Sequence, residues 1–143
     1  MEEPTEPPEP CASENCVVRV YGGAGAAEAL SLMARKAVYS YNLAIRGTSY
    51  YLKPVHYVYK RGNDGVTKVY EYYGRYWWRL ERRGSRVRWR YVGRRKPPGL
   101  PEPPRTGLEG LRIIRVGDDI IVDCWVLEKF PDLFRGLRLE RVY

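Results

Sequence analysis

Apolar residues at Leu30, Met33, Ala34, Ala37, Tyr41 and Ile45 recur at the three- and four-residue spacing of one helix face. That pattern predicts an amphipathic helix over residues 26–45 that ends near Gly47. No other stretch carries so long a helical period. Ahead of it, Val17-Val18-Arg19-Val20 is β-prone and leads into Gly22-Gly23-Ala24-Gly25, which reads as a strand-to-helix turn. Behind it the period shortens to two, and strands are expected at 50–52, 55–60 and 66–73. Arg61-Gly62-Asn63-Asp64-Gly65 supplies the residues that tolerate the positive φ of a hairpin turn. Gly74 is expected to bulge or turn the chain.

The alternation is sharpest over residues 75–92. With Arg83-Gly84 as the tight turn of a β-ribbon, Leu80 would face Val87, Trp78 would face Trp89, and Tyr76 would face Tyr91. That apolar face is expected to hold the ribbon to the sheet. The other face would carry Arg75, Trp77, Arg79, Arg86, Arg88 and Arg90, because successive side chains in a strand point to opposite sides. There Arg79 would oppose Arg88, Glu81 would compensate Arg86, and Trp77 would lie beside Arg90. Trp77 among arginines reads either as a stacking platform, with Tyr73 as a second, or as a ring packed beneath another segment.

Residues 96–110 contain five prolines and three glycines and read as an extended linker. A second β unit follows at 111–143: a strand over 111–116, a turn at Gly117-Asp118, a strand over 119–127, one helical turn near Pro131–Arg135, and a last strand over 137–142. The first 15 residues are rich in Pro and Glu and lack apolar periodicity, which predicts a disordered acidic tail, either solubilising or folded back as a decoy for nucleic acid. The expected fold is α+β: one N-terminal amphipathic helix packed on a mostly antiparallel, twisted sheet that includes the basic aromatic ribbon. Residues 16–143 would form one domain, a length that buries roughly 68–70% of the unfolded chain's surface.

Charge sharpens this picture. The chain has 143 residues and a net charge of +8. Its cations concentrate at residues 60–96, where 13 Lys or Arg stand against Asp64, Glu71 and Glu81. Of the 25 cations, 19 are Arg, whose planar fork pairs with phosphate and stacks on rings. Eleven of the 13 Tyr and three of the four Trp lie between residues 39 and 91, in the same region. Such a mixture points to nucleic acid, DNA or RNA, as partner. The absence of Gln and the wealth of Arg and Pro suggest a thermophilic source.

The segment Gly74-Arg75-Tyr76-Trp77-Trp78-Arg79, then Gly84, then Tyr91-Val92-Gly93-Arg94-Arg95-Lys96-Pro97, resembles a short segment of uncharacterised mobile-element proteins. It is also similar to hairpins in the arm-type DNA-binding regions of some tyrosine recombinases. The resemblance covers about 24 residues and implies a binding element without strand transfer.

Other chemistry is sparse. Cys11, Cys16 and Cys124 make no disulfide framework by count or spacing, although Cys11 and Cys16 are close enough to pair locally. His56 has no nearby partner for a relay or a zinc site. The glycine turn at 22–25 matches neither a dinucleotide fingerprint nor a P-loop; its weak alternative use is to grip a phosphate. Asp119, Asp123 and Glu128, with Glu28 from the helix, are the acids from which a Mg²⁺-dependent nuclease would be built. No run is long enough to span a membrane, and the N-terminus lacks the cations of a signal peptide. The sequence therefore reads as a cytoplasmic, non-enzymatic nucleic-acid-binding protein without cofactor or metal. A nuclease, or an assembly protein for an acidic partner, are the alternatives, and self-association is left open.

Overall fold

The computed structural model describes residues 16–142; the acidic segment 1–15, with Cys11, lies outside the described residues. Its elements are β1 (Val17–Val20), α1 (Ala24–Ala44), β2 (Tyr50–Arg61), β3 (Thr67–Arg83), β4 (Arg86–Gly93), β5 (Arg112–Val116), β6 (Asp119–Asp123), α2 (Cys124–Lys129) and β7 (Leu139–Arg141), with 3-10 turns at Arg46–Thr48 and Pro131–Phe134. The fold is α+β, one long helix packed on a seven-stranded antiparallel sheet. Strand order is β2-β3-β5-β6-β1-β7, and β4 pairs β3 outside that path. Among the described residues no helix is long and apolar enough to cross a membrane.

The helix predicted over 26–45 forms within two residues of its expected ends. Three other boundaries move. Strand β2 runs through Pro54, whose missing N–H is tolerable because β2 lies at the end of the strand order. Strand β3 runs through Gly74 without turning. The strand expected over 119–127 stops at Asp123, and Cys124–Lys129 is helical, burying Val126. A short apolar run such as Trp125-Val126-Leu127 serves either state.

The chain divides into two compact units that share α1, β2 and β3. Of the described residues, the first comprises those up to Ala29, Val58–Glu71 and those from Arg112. Here β1 sits between β6 and β7, with Val18 opposite Val122 on one side and Arg141 on the other. Val18, Val20, Ala27, Ile113, Ile120 and Val122 are among its buried apolar positions. Gly23 is required at the strand-to-helix turn, because a Cβ there would stand 2.7 Å from Ile120 Cγ1. The backbone N–H of Gly22 donates to Asp119 Oδ1 at 2.8 Å, so an internal carboxylate occupies the place where a phosphate would be gripped. Glu71 is only 1% exposed, and Arg115 answers its charge while also reaching Glu28 at 3.2 Å. Cys16 is joined to Cys124, with Cα atoms 5.4 Å apart, which answers the question the sequence left open of whether Cys16 pairs with Cys11. Pairing of β1 with β6 brings Cys16 beside the start of α2.

The second unit comprises Leu30–Tyr57 and Tyr72–Leu111. Val38 and Tyr41 of α1, with Ile45 just beyond its end, cover Leu52 of β2 and Trp77 of β3. Met33, expected on the buried face, is instead 46% exposed, while Val38 takes an inward position. Asn42 locks the helix to β2: its Nδ2 donates to the Leu52 carbonyl and its Oδ1 accepts from the Leu52 N–H, both at 2.9 Å. The Pro-rich segment, expected to be an extended linker, forms neither helix nor strand and is docked. Tyr41 Oη donates to the Pro101 carbonyl at 2.7 Å, Lys96 Nζ donates to the Leu100 carbonyl at 2.7 Å, and Leu108 and Leu111 are buried.

Candidate nucleic-acid interface

The β3–β4 hairpin turns at Gly84-Ser85, one residue later than expected. Gly84 takes φ 62° while Ser85 has no positive φ, which is the arrangement of a two-residue type II′ turn with glycine first. Arg83 consequently opposes Arg86, Glu81 opposes Arg88, Leu80 opposes Trp89, Arg79 opposes Arg90 and Trp78 opposes Tyr91. Each pair is shifted by two residues from the predicted register. An even shift preserves which side chains share a face. A bulge then places Trp77 opposite Gly93.

The grouping of side chains was thus legible, but the structure inverts which face is inside. Trp77 is 0% exposed and packs edge-on to Tyr41, with ring centroids 6.0 Å apart. Tyr73 is buried as well. Neither ring can stack on a ligand, which corrects their assignment as platforms; the helix covers this side of β3 and excludes a nucleotide from it. Their neighbours are engaged too. Arg75 donates to Glu102 at 2.9 Å and to the Pro103 carbonyl, and Arg79 lies over the Tyr50 ring at 5.7 Å. Farther along, Glu81 pairs with Arg90 at 2.5 Å and Arg88 at 3.6 Å. The Arg90 hydrogen bond holds the Glu81 carboxyl below the usual glutamate range. Arg86 is exposed next to the turn.

The face expected to be core is the open one. Trp89 is 51% exposed, Tyr91 42% and Tyr51 41%. Tyr51 and Trp89 lie 5.8 Å apart, Trp78 and Tyr91 5.4 Å, and His56 stacks between Tyr76 at 5.2 Å and Tyr91 at 6.3 Å. The rings therefore form a row across β2, β3 and β4. Lys53 stands 5.6 Å from the Trp78 ring and Arg94 stands 5.7 Å from the Tyr76 ring. Arg82 shares the face by strand parity with Trp78 and Leu80. Tyr51, Lys53, Trp78 and Trp89 line a recess of about 430 Å³. Tyr76, at the inner end of the row, has its hydroxyl pushed up by burial, with Arg94 opposing. The indole N–H groups of Trp77 and Trp78 are buried without an acceptor.

Tyr51, Lys53, His56, Arg82 and Arg94 were missed as candidate site residues. Their signal was present in Tyr51-Leu52-Lys53, where one buried residue is flanked by two outward ones. Pro54 then hides it by changing the parity, so that His56 returns to the outward face.

The acids do not converge. Asp119 accepts from Arg19 at 2.7 Å and from Gly22, Asp123 precedes α2, Glu28 reaches Arg115, and Glu128 is exposed on α2. Among the described residues no group of three or more His, Cys, Asp or Glu is placed to hold a metal ion. Compared with known proteins, the chain matches no family model, no curated protein and no solved structure.

Proposed function

We propose that this chain binds nucleic acid without transforming it. Tyr51, Trp78, Trp89 and Tyr91 would supply ring surface, and Lys53, Arg82 and Arg94 would hold phosphates. Arg86, Arg88 and Arg90 add positive charge at the hairpin. The observation that carries this reading is the exposed row of rings bordered by cations on the sheet face that α1 leaves uncovered. Exposed aromatics are costly in water, and interleaved cations suit a ligand that offers flat apolar rings and phosphates together.

Binding should weaken as salt rises from about 50 to 200 mM, as phosphate contacts release condensed counterions. A variant with Lys53, Arg82, Arg86 and Arg94 changed to Ala, verified as folded by circular dichroism, should lose most of its affinity for DNA and RNA. Unchanged binding by that variant would refute the proposal.

A further inference from the structure

The same face indicates which form of nucleic acid it takes, an inference that rests on the binding function proposed above. We infer that it receives an unpaired strand, with a base entering the recess lined by Tyr51, Lys53, Trp78 and Trp89. In a duplex the flat faces of the bases are stacked on one another, and the outer surface is phosphate and groove edge. A row of half-exposed rings gains nothing from that surface. An unpaired strand offers each ring a base face, and a four-stranded sheet with exposed aromatics stacks about two or three bases in this way.

Three further observations favour the unpaired strand. The rings span three strands, so the platform is wider than a two-stranded ribbon inserted into a groove. Three of the arginines that a groove-reading ribbon would use face acids, with Arg88 and Arg90 beside Glu81 and Arg75 on Glu102. Finally, the outward side chains of β2, β3 and β4 around the rings include Lys53 and Arg82 but no carboxylate, since Glu81 lies on the opposite face. The recess of about 430 Å³ falls within the range of roughly 300–1,000 Å³ typical of small-molecule pockets, and it opens beside Lys53. A base on Trp89 would leave its phosphate within reach of that ammonium.

Fluorescence anisotropy with three labelled probes tests this: a short oligothymidylate, the same length of strand with abasic sugars, and a duplex of equal length. The single strand is expected to bind at least about tenfold more tightly than either of the others, because the abasic strand keeps the phosphates and loses the rings. Replacing Tyr51 and Trp89 together by Ala should lower single-strand affinity about tenfold or more and leave duplex binding unchanged. Trp89→Phe should keep most of the affinity. Both side chains are exposed, and a melting curve verifies that the double variant remains folded. Equal binding of duplex and single strand, equal binding of the abasic strand, or an indifferent double variant would overturn the inference while leaving nucleic-acid binding intact. No binding to any probe would remove the underlying proposal itself.

Discussion

Trp77 and Trp78, adjacent in the chain, deliver their rings to opposite faces of the sheet. Trp77 is sealed beneath α1 against Tyr41, whereas Trp78 lies 5.4 Å from Tyr91 in the open aromatic row. One strand thereby joins the core to the proposed binding face.

The pair supports a contrast in stability. Trp77→Ala should cost about 3–5 kcal/mol, because it empties a fully buried site. Trp89→Ala should change stability by no more than about 0.5 kcal/mol, as an exposed substitution. Urea denaturation of the two variants checks both values, and similar losses would contradict the assignment of faces.

Glu81 restrains the hairpin's charge. The Arg90 hydrogen bond keeps its carboxyl ionised well below neutral pH. Glu81→Gln should free Arg88 and Arg90, tighten nucleic-acid binding, and steepen its logarithmic salt dependence by about 0.7–0.9 per cation released. A salt titration that leaves the slope unchanged would show that neither arginine meets a phosphate.

Asn42 does for β2 what a neighbouring strand would do. By satisfying both backbone groups of Leu52 it blocks part of a long edge. Asn42→Ala should cost about 1–3 kcal/mol, since it leaves a donor and an acceptor unpaired. Sedimentation velocity should also reveal concentration-dependent association beyond that of the parent chain.

Asp119 makes the first unit sensitive to acid. The Gly22 N–H and then the Arg19 guanidinium hold its carboxyl below the ordinary aspartate range. A depressed folded value means that the stabilisation is complete above the unfolded value of about 3.9 and is lost as pH falls through the folded one. The stability gap between parent and Asp119→Asn should therefore be constant above about pH 5 and narrow below about pH 4. A gap independent of pH would exclude this role.

Much of this architecture was legible locally. The helix followed from its period, β1 from a β-prone run, and the turn at 117–118 from its glycine and aspartate. The division of residues 75–92 into two faces survived even a misplaced turn, because parity is unchanged by a two-residue slip. Which face is inside was not legible, since both carry aromatics and the answer lies in Val38, Tyr41 and Ile45, 30 or more residues away. The Cys16–Cys124 bond was hidden for the same reason, being set by a pairing 108 residues apart.

That separation has a consequence during synthesis. Residues 17–20 pair with 120–123 and with 139–141. At about 5–20 residues per second, a nascent β1 waits roughly 5–20 s before its partner strands leave the ribosome. A strand of four residues interrupted by Arg19 is poorly suited to pair with other chains in that interval. Brevity and one charge keep it available, and the first of these strands to be made is among the last to be paired.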